Sequence, residues 1–84
     1  MRSKLSPTAR ALAALVTSDE TGLPIPGARV ILGDGDEELA TDFRGIAMFT
    51  GVSGPLTVTA VAPGYDPETF LDVNVSGVGF ALEP

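Results

Sequence analysis

Residues 55–62 read Pro55-Leu56-Thr57-Val58-Thr59-Ala60-Val61-Ala62, and their alternation decides the fold class. Leu56, Val58, Ala60 and Ala62 share one side of an extended chain while Thr57 and Thr59 share the other. This is the period-two pattern of a strand with one face in a core. Ala28, Val30 and Leu32 repeat it, as do Val78, Phe80 and Leu82. Outward from this stretch, apolar segments of about five to eight residues recur from Ala11 onward, each closed by turn residues. They predict strands at residues 11–17, 28–33, 37–41, 45–50, 55–62, 68–75 and 77–82. The expected fold is all-β, a seven-stranded antiparallel sandwich with no helix longer than a turn or two. Leu12, Ala14, Val16, Ala47 and Phe49 complete an inward layer between two sheets about 10 Å apart.

The punctuation has identifiable causes. In Thr21-Gly22-Leu23-Pro24-Ile25-Pro26-Gly27 two prolines lack an N–H and fix φ, which excludes helix and a central strand. The segment is expected as an extended crossing loop that carries Ile25 over one end of the core. Gly33-Asp34-Gly35-Asp36 is a hairpin signal, because Asp and Gly tolerate the left-handed conformations of tight turns. Pro63-Gly64 and Ser76-Gly77 mark further turns. Residues 1–10, polar and basic through Arg2 and Lys4, are expected as a flexible N-terminal arm, with residues 11–84 forming the sandwich.

Length and composition bound the function. The 84 residues, 8.6 kDa, suffice for one domain and one modest core. Ten Gly and seven Pro beside 44% hydrophobic residues favour many short strands over long helices or disorder. There is no Cys and no His, which removes thiol nucleophiles, disulfides, imidazole bases and the usual ligands of zinc and copper. Five basic residues against eleven acidic ones, net −6, oppose binding to a phosphate backbone, so no nucleic acid is expected as partner. Arg2 and Lys4 precede apolar residues as in a secretory signal, but Pro7 and Arg10 leave only residues 11–16 continuously apolar, short of the roughly 7 to 15 such a signal needs. No stretch approaches the roughly 20 apolar residues of a membrane span. With Met1 as the true start, the expectation is synthesis without a Sec signal and assembly inside the cell; as a piece of a longer chain, the module would be extracellular.

A set of ordered words points to a family. Val16, Gly22-Leu23-Pro24-Ile25, Gly27-Ala28 and Val30 are followed by Thr41-Asp42, Gly45, Ala47 and Phe49. Gly54-Pro55-Leu56, Val58, Ala60, Ala62-Pro63-Gly64-Tyr65 and the closing Leu82-Glu83-Pro84 continue the order. Over residues 11–84 the chain resembles the carboxypeptidase regulatory-like domains, transthyretin-like seven-stranded sandwiches that also look like collagen-adhesin B-type and other bacterial Ig-like modules. The resemblance implies a non-catalytic attachment, spacer or adhesive role.

Several constellations could carry chemistry. Asp34, Asp36, Glu37 and Glu38, with Asp42 beyond, could gather oxygen ligands for Ca²⁺, but the spacing lacks the EF-hand pattern. A solvated hairpin tip is the expectation, and Asp19-Glu20 reads the same way. Collagen-adhesin B-type modules can carry a Lys–Asn isopeptide bond promoted by an acid. Lys4, Asn74 and Glu68 offer that set here, yet an ammonium ahead of the first strand stays solvated and protonated. No Ser lies in a Gly-x-Ser-x-Gly elbow, and two-carboxylate chemistry needs a cleft. No catalytic residue, cofactor or metal site is therefore assigned. Carbohydrate binding would favour exposed aromatic platforms, and the chain has no Trp and one Tyr. Tyr65 is expected to pack its ring at a strand corner.

Apolar residues at the wrong parity are more informative. With Ala47 and Phe49 inward, Ile46 and Met48 point outward. With Thr69, Leu71, Val73 and Val75 inward, Phe70 points outward, and Val61 is similarly placed. Together with a mean hydropathy of +0.29, these four residues are the expected protein-contact surface. A bulge that shifts the register, or cover by the arm, would be the alternative. The functional expectation is a non-enzymatic structural or adhesive module making protein–protein contacts, a subunit of a larger assembly such as a phage or injection-system particle. The second reading is an extracellular carbohydrate- or calcium-binding accessory module.

The facing assignment has a direct test. Phe49→Ala or Phe80→Ala should lower stability by about 3 to 5 kcal/mol in chemical denaturation, and Thr57→Ala by much less. Equal midpoints for all three would refute the facing.

Overall fold

A computed structural model describes residues 10–84. Seven strands follow in chain order: β1 (Arg10–Ser18), β2 (Arg29–Leu32), β3 (Glu37–Ala40), β4 (Ile46–Val52), β5 (Leu56–Val61), β6 (Glu68–Val73) and β7 (Gly77–Leu82). The strand expected at residues 77–82 has those bounds, and the others shift by one or two residues at either end. Arg10 belongs to β1 rather than to the arm, and residues 1–9 lie outside the described part.

The strands form two sheets, β4-β1-β7 and β3-β2-β5-β6. The second is antiparallel throughout, but in the first β1 pairs antiparallel with β4 and parallel with β7. The purely antiparallel expectation is corrected here. Its cause is arithmetic: the seven strands alternate in direction along the chain, so the first and last run the same way and must pair parallel when adjacent. The five intervening strands supply the long connection a parallel pair requires.

Between the sheets lies the core, in which Phe49, Phe80, Leu12, Leu82, Val16, Val30 and Val58 are the largest fully buried side chains. The inward sets of β1, β2, β4, β5 and β7 are those the period-two pattern gives. Two bulges set the rest. Arg10 pairs with Val52 and Leu12 with Phe49, so β4 carries an extra residue at Thr50-Gly51, where Gly51 has φ 68°. Phe49 and Val52 are thereby both buried. Likewise Leu56 pairs with Val73 and Val58 with Phe70, which places an extra residue at Leu71-Asp72, with Asp72 at φ 54°. Asp reaches this left-handed region more readily than most residues.

The ends are closed by polar contacts. Ile25 packs half-buried against the core as expected. Its loop is tied down by the buried Thr41 hydroxyl, which donates to Ile25 O (2.6 Å) and accepts from Ala28 N (2.9 Å). Gly45 admits this loop: a Cβ there would stand 2.7 Å from Val16 O and 2.8 Å from Pro24 Cβ. At the opposite end the Arg10 guanidinium donates to the carbonyls of Val75, Gly54 and Val73. Between the sheets, Ala81 N donates to Glu68 Oε1 and Asp66 N to Glu83 O.

The turn into β4 is organised by Asp42. Its Oδ1 accepts from Arg44 N (2.9 Å) and Ile46 N (3.0 Å), and its Oδ2 from Arg44 Nη2 (2.9 Å). The Ile46 N–H, followed by the Arg44 guanidinium, holds the carboxyl below its ordinary range. A depressed carboxylate stabilises the fold above the unfolded-state value, and the contribution is lost as pH falls through the folded value. Nuclear magnetic resonance titration of Asp42 should give a value below 3.8. Arg44→Ala should raise it only in part, because the Ile46 contact remains. An unshifted Asp42 in the native chain would contradict the turn geometry.

Candidate functional site

The outer faces of the two sheets differ in chemistry. On β3-β2-β5-β6 the outward positions include an Arg29–Glu38 ion pair and a Thr59–Thr69 hydroxyl pair 3.0 Å apart. Thr57 lies on the same side, as the wet face of an antiparallel sheet requires. On β4-β1-β7 the outward positions are Ala11, Ala13, Leu15 and Thr17 from β1, Ile46, Met48 and Thr50 from β4, and Gly77, Gly79 and Ala81 from β7. None is charged. Thr17 donates its hydroxyl to Phe80 O (3.2 Å) within the sheet. On this face Met48 is 54% and Leu15 41% exposed.

The four contact residues expected from the sequence are not brought together. Ile46 and Met48 lie on this uncharged face, the first half-buried and the second exposed. Val61 is half-buried on the outside of the other sheet. Phe70 turns inward and stacks on Phe80 with ring centroids 4.8 Å apart. The bulge at Leu71-Asp72 corrects the β6 parity: Phe70 and Val73 point in, while Thr69 is exposed, Leu71 is 71% exposed and Val75 is 55% exposed. Sequence reasoning missed Ala11, Ala13 and Leu15, although their signal was present as apolar residues alternating with the inward Leu12, Ala14 and Val16.

Gly77 and Gly79 add an observation that the fold itself does not explain. The other eight glycines have positive φ, whereas these two do not. A Cβ at Gly79 would meet nothing within 4 Å, and one at Gly77 only Ala13 O at 4.0 Å. Glycine inside a strand is unfavourable by about 0.5–1 kcal/mol and often marks close approach by another backbone.

Elsewhere the exposed large apolar side chains are Leu23, Leu39, Phe43, Leu71 and Val75. The acidic hairpin, Asp34 to Glu38, is exposed throughout. No group of three or more His, Cys, Asp or Glu among the described residues is arranged to hold a metal ion. Lys4 lies outside the described residues, and Glu68 is engaged with Ala81 N. Tyr65 packs half-buried against the core at the corner after β5. A groove of about 200 Å³ at the β6–β7 seam is lined by Asp66, Glu68 and Glu83 with Pro67, Ala81 and Leu82. Phe43, 81% exposed at the Asp42 turn, has the Arg44 guanidinium 5.9 Å from its ring centroid. Among the described residues no helix is long and apolar enough to cross a membrane.

These placements separate core from surface by mutation. Phe70→Ala should destabilise by about 2 to 4 kcal/mol through loss of the stack on Phe80. Met48→Asp should change stability by less than about 1 kcal/mol. Calorimetric midpoints in the opposite order would overturn the assignment.

No protein-family model matches the chain, and no curated protein matches it.

Proposed function

We propose that the chain is a non-enzymatic β-sandwich module of the carboxypeptidase regulatory-like kind that works by protein–protein contact, as a subunit of a larger assembly. The contact surface is the outer face of β4-β1-β7. The observation that carries this reading is the absence of any charged side chain at the described outward positions of that sheet, in a chain whose net charge is −6. Apolar surface gains about 25 cal/mol per Å² when covered, whereas burying the acidic hairpin would strip hydration from carboxylates without pairing them. Three strands about 4.8 Å apart and about 20 Å long present roughly 300 Å² in plan. That area suits one contact among several in an assembly rather than a lone high-affinity site.

Site-specific photo-cross-linking in the native host tests the reading. A photoreactive residue in place of Met48 should trap protein partners, and one in place of Thr59, on the opposite face, should not. Equal capture at both positions, or none at Met48, would remove the proposed surface.

A further inference from the structure

We infer that the partner of this face is a second copy of the chain, packed face to face about a two-fold axis that runs along β1. The inference rests on the reading of β4-β1-β7 as the contact surface and names its occupant. The register supplies the reason. Met48, Ala13 and Gly77 stand side by side across the three strands, and so do Ile46, Leu15 and Gly79. Each row has a large side chain on β4 and glycine on β7, with Ala13 between them in one row and Leu15, as large as Ile46, in the other.

A two-fold axis along β1 exchanges the β4 and β7 sides while keeping each row at its own level. Met48 of one copy then lies over Gly77 of the other, and Ile46 over Gly79. Leu15 meets Leu15 and Ala13 meets Ala13. A ridge thus fills a trough on both sides of the axis, the self-complementarity that an isologous interface demands. The strands of the two copies run nearly aligned, as in the packing of sheets within a sandwich. An axis across the strands would instead set ridge on ridge and glycine on glycine, leaving a void.

The two glycines acquire a cause in this arrangement. Neither is required by φ or by any neighbour in its own chain, but side chains there would hold the second sheet away. Electrostatics agrees, because two strongly acidic copies can meet at this face without placing carboxylates of its described outward positions opposite one another. The size of the face sets the strength. About 300 Å² in plan from each partner, roughly 600 Å² together, falls below the roughly 1,200 Å² of standard specific interfaces, so the dimer is weak in isolation and forms at high concentration.

Sedimentation equilibrium of the full chain, from about 20 μM to about 2 mM, provides the test. The weight-average mass should rise from 8.6 kDa towards twice that value. Gly79→Val fills the trough with a side chain for which the monomer has open space. It should leave the melting temperature unchanged or raised and weaken dimerisation at least tenfold. Met48→Asp should do the same to dimerisation, and Thr59→Asp on the opposite face should not. A wild-type chain that stays at 8.6 kDa throughout overturns the inference. So does a dimer that survives both Gly79→Val and Met48→Asp, which would place the contact on a strand edge or another surface. If the wild type is monomeric while position 48 still cross-links to a different protein, self-pairing fails and the contact face stands. Loss of cross-linking at position 48 removes the face itself.

Discussion

The parallel pairing of β1 with β7 is the constraint on which the rest of the structure depends. It joins the first described strand to the last, so the three-stranded sheet is complete only once nearly the whole chain has been laid down. Phe80 and Leu82 reach the core through this pairing, and Phe80 then stacks on Phe70 across the gap between the sheets. Loop closure over such a separation is entropically unfavourable and makes little return until the core forms. β1 can sit at the centre of its sheet because its inward residues Leu12, Ala14 and Val16 are fully buried, while both of its edges are bonded.

The same placement creates the asymmetry that the functional reading uses. The four-stranded sheet has core on one side and, on the other, threonines, an ion pair and the half-buried Ile31 and Val61. The three-stranded sheet carries no charge at its described outward positions, where apolar residues and glycines stand beside Thr17 and Thr50. Its edges are managed differently from its face. β4 is bent by the Gly51 bulge, and part of the β7 edge is occupied by Glu68 and Asp66 through Ala81 N and Glu83 O. In the other sheet β3 is short and carries Glu37 and Glu38, and β6 is bent at Asp72. Charges, bulges and short strands discourage edge-to-edge association, whereas nothing comparable guards the outer face of β4-β1-β7 among the described residues. On the proposed function, specific contact falls on this face, whose Met48, Ala13 and Gly77 and whose Ile46, Leu15 and Gly79 stand in rows.

Legibility in the sequence followed the strength of local signals. Alternation in β1, β2, β5 and β7 was strong, and the core residues read from it are buried except Leu56 and Val78, which pack half-buried against the core. Of the two bulges, the one in β4 has a visible marker in Gly51. The one in β6 has none, because Asp72 adopts a left-handed conformation without being glycine. One extra residue reverses the facing of all that lies beyond it, and so Phe70 moved from the expected contact surface to the core. Val61 was read with the correct facing, but parity does not say which sheet a strand joins. Residues on two opposite faces were therefore grouped as one patch.

By itself the sequence determined that the chain forms short strands, which residues of most strands face a common core, where the crossing loop and hairpins fall, and which chemistries lack their residues. These properties are set by backbone sterics at Gly and Pro and by side-chain alternation, all of which act over a few residues. Only the tertiary structure decided which strands are neighbours, that the first and last pair in parallel, and that Ile46, Met48, Leu15, Gly77 and Gly79 lie on one face. The physical reason is that neighbourhood within a sheet depends on hydrogen bonds and packing between segments up to sixty-odd residues apart, such as Ala13 beside Gly77. A local pattern is satisfied equally well by several such arrangements, and the shared core selects among them.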